Sequence, residues 1–132
     1  MILVDTSVWI DYFKGSQTEG AAKLSQALNE EKPCGLSSVI YQEILQGADS
    51  EASFARLSSY LNALVFFQPA HPLESFAAAA QIYLRCRKAG LTIRSTIDCL
   101  IAQIAIENEL WLLHRDKDFD HIARVFPQLR IL

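Results

Sequence analysis

The sequence has 132 residues, 51% of them apolar and 20% charged, with 12 Lys+Arg against 15 Asp+Glu for a formal net charge of -3. That balance excludes a disordered chain, and the absence of Gly- or Pro-rich tracts excludes collagen-like and low-complexity classes. A sequence pI near 5.5 argues against an arm that binds nucleic acid by charge alone.

The length fits a single domain over residues 1–132, large enough to bury an apolar core. Met1-Ile2-Leu3-Val4 meets Asp5 at once, without the basic and apolar regions of a signal peptide. The longest strictly apolar runs, such as Ala63–Phe67 and Phe76–Ala80, fall far short of the roughly 20 residues that span a bilayer. Cys34, Cys86 and Cys99 are odd in number and widely spaced, which indicates neither a zinc ribbon nor a disulfide framework. A cytoplasmic protein with reduced, mostly buried thiols and no membrane attachment is expected.

Ile2-Leu3-Val4 reads as a buried strand ended by Asp5-Thr6-Ser7. Val8, Trp9, Tyr12 and Phe13 follow at helical spacing, and Gly15 stops that helix. Thr18 to Glu31 is an amphipathic helix with Ala21, Leu24, Ala27 and Leu28 inward, and Pro33–Leu36 a short strand or connector. Ser37-Ser38 caps a helix from Val39 to about Gly47, and Asp49-Ser50 another to about Leu61. Leu64–Phe67 has the composition of a second buried strand. Pro72 suits the first turn of a long helix, Leu73 to Lys88, closed by Gly90. Ser95 or Thr96 caps a very apolar helix through about Asn108, and Leu110–Leu113 is a third strand. Phe119 to Phe126 makes a short helix, and Leu129–Leu132 a final edge strand. Short apolar strands separated by helices predict an α/β/α sandwich around a central, mainly parallel sheet. Ligands of such folds bind beyond the carboxyl ends of the strands.

Two of the acidic positions immediately follow strands, and two more lie on the inner faces of helices. Asp5 ends the first strand, where Asp is also a favoured turn or cap residue. Glu43 lies inside the apolar arc formed by Val39, Ile40 and Ile44 at about 100° per residue. An ionised group there needs a partner cation, either an Arg or a metal. Asp98 has Ile101, Ala102 and Ala105 on its own face, with Gln103 and Glu107 opposite; a place in the first helical turn explains its charge but not those neighbours. Asp116 and Asp118 follow the Leu110–Leu113 strand, and either can cap the helix beyond. These groups offer oxygen ligands only, a set that favours Mg²⁺ or Mn²⁺ over zinc. Acidic clusters of this kind serve phosphoryl chemistry.

The stretches Val4-Asp5-Thr6-Ser7-Val8-Trp9-Ile10, Tyr41-Gln42-Glu43-Ile44-Leu45-Gln46-Gly47, Thr96-Ile97-Asp98-Cys99-Leu100-Ile101-Ala102 and Leu113-His114-Arg115-Asp116-Lys117-Asp118-Phe119 span almost the whole chain in order. In them the chain resembles the PIN-domain ribonucleases of the VapC toxin type. The resemblance implies a parallel α/β/α sandwich and a metal-dependent endoribonuclease toxin. It further implies an RNA substrate, a VapB-type antitoxin as inhibitor and a homodimer. Asp5, Glu43, Asp98 and Asp116 would be the catalytic, metal-binding acids, Asp118 an accessory or replacement fourth ligand, and Ser7 a supporting hydroxyl. Hydrolysis would leave 5′-phosphate and 3′-hydroxyl ends. Cys99 stands where a small or aliphatic residue is commoner, and His114 where Thr or Ser is frequent.

Cations to hold the RNA backbone are offered by Arg85, Arg87, Lys88, Arg94, Arg115 and Lys117; Arg85–Lys88 also suit a helix carboxyl end. Surface or structural roles are expected for His71, His114 and His121. A dehalogenase-like phosphatase needs a second Asp two positions after the first, where this chain has Ser7. A non-catalytic interaction module of the same fold would have lost one or more acids, and none is missing. Partner binding through the amphipathic segments Ala48–Leu64 and Leu73–Arg87 is expected in addition to catalysis. Removing the five proposed site acids from 15 leaves 10 against 12 bases, or +2. The acidic surplus therefore belongs to the proposed site, and bound divalent cations would cancel much of it.

Overall fold

A computed structural model describes residues 1–132. Five strands form the sheet: β1 (Ile2–Val4), β2 (Cys34–Leu36), β3 (Val65–Phe66), β4 (Trp111–Leu113) and β5 (Arg130–Ile131). Their order is β3-β2-β1-β4-β5, and every pairing is parallel. β1 is central, with Leu3 opposite Gly35 on one side and Leu112 on the other. Strand β1 is apolar throughout because both of its faces are covered, and Leu3 and Val4 are completely buried.

The helices are α1 (Thr6–Lys14), α2 (Glu19–Asn29), α3 (Ser38–Gln46), α4 (Glu51–Asn62), α5 (Glu74–Lys88), α6 (Thr96–Glu107) and α7 (Lys117–Val125). The chain steps from β1 outward to β3, then crosses back to β4 and β5. Right-handed crossovers in these two directions place α1–α4 on one face and α5–α7 on the other. The packing agrees, since α1 touches α2 and α3, α3 touches α4, and α5, α6 and α7 touch one another. The reversal beside β1 makes the carboxyl ends of β1 and β4 the topological switch point, where open parallel sheets place their ligands.

Local chemistry sets the element ends. Thr18, Ser37 and Ser50 each accept a backbone N–H of the following helix, and Gly15 ends α1 at φ 70°. Asp116 caps α7 by accepting the Asp118 N–H, so that helix starts at Lys117 rather than at Phe119. Pro72 precedes α5, which begins at Glu74. β3 is an edge strand with Val65 exposed, not the buried strand that its composition suggests, although Phe67 just beyond it is buried. Cys34, Cys86 and Cys99 are all buried and unpaired; Cys99 fills core volume on α6.

Gly35 is required by a close approach of backbone. A Cβ on it would collide with the Val65 carbonyl oxygen and come within 2.7 Å of the Phe67 ring. A methyl group there has to separate β2 from β3. Gly35→Ala is therefore expected to destabilise the fold by about 1–3 kcal/mol, the usual scale of an overpacked core. Urea unfolding checks this, and an unchanged midpoint would contradict it.

Candidate active site

Three parallel strand ends converge on one edge. The Asp5 N–H donates to the Leu113 carbonyl at 2.9 Å, which fixes Asp5 beside the start of the β4–α7 loop. α3 rises directly from β2 and carries Glu43, while α6 brings Asp98 from the opposite face. The resulting open cleft is lined by Asp5, Glu43, Asp98 and Asp116, with Ser7, Arg94, Arg115 and Lys117 among its walls.

Each acid is held differently. Asp5 is buried and accepts from the Ser7 hydroxyl at 3.1 Å. Burial raises its pKa, and the opposing hydrogen bonds from Ser7 and Thr6 do not offset it. Glu43 is half-buried and accepts from the Thr6 hydroxyl at 2.8 Å. No Arg pairs with Glu43; its protein partner is the Thr6 hydroxyl, and the carboxylate lines the cleft, where a metal is the remaining cation of the two considered from the sequence.

Asp98 is half-buried, and its carboxylate accepts no hydrogen bond and makes no ion pair within the chain. Burial comes first, followed by the charges of Asp5, Asp116, Asp118 and Glu43, which together raise its pKa from 3.8 to about 7. Asp118 is the contrary case. Its burial is outweighed by the Arg94 backbone N–H and guanidinium, each donating at 3.1 Å, and its pKa is lowered. The same guanidinium reaches Asp116 at 2.9 Å. Oxygens of Asp98, Asp116 and Asp118 lie within 4.8 Å of one another. An all-oxygen set around a carboxyl that no cation neutralises suits a hard divalent ion.

Other side chains position this set. The His114 side chain is turned inward; its Nδ1 accepts the Asp116 N–H at 3.0 Å, and its Nε2 lies 3.2 Å from Asp120. Those contacts fix the loop that carries Asp116. His121 is 3.8 Å from Asp118, and His71 lies in the turn before α5, far along the chain from the cleft residues. Arg85, Arg87 and Lys88 end α5 and do not line the cleft; Arg85 stacks on Phe126 and Arg87 on Tyr83. Two further residues belong with these side chains: Thr6, whose hydroxyl holds Glu43, and Asp11, a buried carboxylate 3.3 Å from Arg115. A hydroxyl next to a strand-end acid is the only local signal for Thr6.

A carboxyl whose pKa rises on folding keeps its proton more tightly in the folded chain. For Asp98 that stabilisation is complete below about 4 and is lost as pH climbs to about 7. In EDTA, the wild-type Tm is therefore expected to fall relative to that of Asp98→Asn across this window. Parallel Tm profiles for the two proteins would contradict the assignment.

The PIN domain family model matches residues 2–125. Ribonuclease VapC11 of Mycobacterium tuberculosis and VapC ribonuclease Mb1587 of Mycobacterium bovis are each 40% identical to this chain over 126 residues, 95% of this chain and 93% of theirs. Among solved structures, VapBC2 from Rickettsia felis bound to a DNA fragment from its promoter aligns with TM-score 0.75 at 18% identity, covering 100% of this chain and 98% of that one. FitAcB from Neisseria gonorrhoeae aligns with TM-score 0.73 at 19% identity, covering 100% and 96%.

Proposed function

Because the chain belongs to the PIN domain family, and within it to the VapC ribonucleases, we propose that it is a divalent-metal-dependent endoribonuclease, the toxin of a toxin–antitoxin pair. The observation that carries the metal dependence is the burial of Asp98 together with the charges of Asp5, Asp116, Asp118 and Glu43 around it, which raise its pKa to about 7. Residues 1–132 act as one PIN domain, and the cytoplasm, where RNA is encountered, is the site of action.

Asp5, Glu43, Asp98 and Asp116, the four acids that line the cleft, would hold the metal, Mg²⁺ or Mn²⁺. When bound, such an ion activates water and neutralises charge on the phosphate and the leaving oxygen. The side chains of this protein supply placement. Ser7 and Thr6 orient Asp5 and Glu43 through their hydroxyls. His114 fixes the backbone of Asp116. Asp116 and Asp118 both give an oxygen to Arg94 and both lie within 4.8 Å of Asp98, but only Asp116 lines the cleft, so Asp116 would be the fourth ligand and Asp118 an accessory acid. Lys117 and Arg115 attract the RNA backbone. The products are 5′-phosphate and 3′-hydroxyl ends, with no covalent enzyme intermediate.

Two apolar surfaces suit partners. Ile10, Phe13, Ile44, Leu57 and Tyr60 line a groove between α1, α3 and α4, and Ile10 also borders the acid cleft. An antitoxin segment seated there lies beside the acids it must block. On the other face, Phe76, Tyr83, Ile97 and Leu100 line a second groove between α5 and α6, with Phe76 and Ile97 exposed. This is the surface for a second copy in a homodimer.

Cleavage of single-stranded RNA is expected to stop in EDTA and return with Mg²⁺ or Mn²⁺. Asp5→Ala and Asp98→Asn are expected to lose more than about 100-fold in rate while staying folded, since even an outer-shell partner of a metal is typically worth 10–100-fold. Cleavage that survives chelation, or a fully active Asp98→Asn, contradicts the proposal.

A further inference from the structure

Asp11 has no task in the chemistry described so far. It lies on α1 with a burial equal to that of Asp5, 6% against 7% exposed, yet it does not line the acid cleft. A buried ionised carboxylate requires partners. Thr18 supplies one, its hydroxyl donating to Asp11 Oδ2 at 3.3 Å. Arg115 supplies the other, its Nε also 3.3 Å from Oδ2.

This pairing differs from that of Arg94. Arg94 commits Nε and Nη2 to Asp118 and Asp116, and so neutralises acids of the site itself. Arg115 commits Nε alone, and its side chain is 56% exposed while lining the cleft. The two terminal amino groups therefore remain available, and a guanidinium fork of that kind matches two oxygens of a phosphodiester. Lys117 makes no ion pair and offers only a flexible point charge in comparison.

We propose that Asp11 is a positioning residue, and that it holds Arg115 by Nε so that the free end of the guanidinium receives a backbone phosphate of the substrate RNA at the rim of the cleft. The inference rests on the ribonuclease reading. Phosphate contacts set register and affinity without reading bases. The pair therefore acts on how well RNA is held and on how salt weakens that hold.

Steady-state cleavage of a single-stranded RNA oligonucleotide tests this with Asp11→Ala, Asp11→Asn, Arg115→Ala and Asp11→Ala/Arg115→Ala. Asp11→Ala and Arg115→Ala are each expected to raise KM about tenfold, the scale of one charge-assisted hydrogen bond. The loss should be carried in KM rather than kcat, and the double variant should be no worse than Arg115→Ala alone. The dependence of log KM on log salt should weaken by about 0.7 in each single variant, the loss of one phosphate contact on a single strand. Asp11→Asn, which keeps the side chain's volume but loses the charge that pairs with Arg115, should be intermediate. A wild-type KM and salt slope in Asp11→Ala, or losses that multiply in the double variant, overturn the proposal. Should Asp11→Ala not fold, a KM effect of Asp11→Asn that persists in full with Arg115 already replaced by Ala overturns it. A wild-type protein that cleaves no RNA overturns the ribonuclease reading and this inference with it.

Discussion

Carboxylates gathered in one cleft cannot all be ionised without a counter-charge, and the arrangement of the site follows from that constraint. The chain meets part of it internally. Arg94 spans Asp118 and Asp116, and the hydroxyls of Ser7 and Thr6 donate to Asp5 and Glu43. Asp98 receives no such relief, and its pKa rises to about 7. A like-charge cluster with one unrelieved member favours a divalent cation over a second arginine, because a cation of small radius can touch several oxygens at once.

The fold makes the crowding affordable. All five strands run the same way, so β1, β2 and β4 deliver their following residues to one edge. Asp5 is locked there by its N–H to Leu113, and the bulk of the core lies beneath it. At Asp5 the repulsion is thus met by a backbone fixed to the sheet, and at Glu43 and Asp98 by helices α3 and α6. The β4–α7 loop has no such ladder. It is held instead by side chains, with His114 on the Asp116 N–H, Asp116 capping α7 and Arg115 tied to Asp11.

The strand-end acids were legible in the sequence because an apolar run broken by Asp marks both the strand and its edge. Glu43 and Asp98 were legible for another reason, a charge standing on the wrong side of a helix. What these signals could not specify was the partner. Glu43 pairs with Thr6 and Asp11 with Arg115, contacts between segments far apart in the chain. Asp11 left no trace because a lone acid in a surface helix beside Tyr12 and Phe13 reads as a solvated position. β3 lies at the sheet edge although its composition suits a buried strand, since composition reports apolar packing and not whether a neighbouring strand follows. Arg94 offers the same lesson, as its charge suggested RNA, whereas its geometry assigns it to the acids.

The central claim is that a divalent cation supplies the charge that Asp98 lacks, and proton release on metal binding tests it most directly. If the Asp98 pKa lies near 7 without metal, binding of Mg²⁺ or Mn²⁺ at pH 6 must expel on the order of one proton per site. Calorimetric titration in buffers of different ionisation enthalpy measures that number. The account predicts release at pH 6 that declines toward zero by pH 8 and is abolished in Asp98→Asn. Metal binding with no proton release at pH 6, or no binding at all, would contradict it.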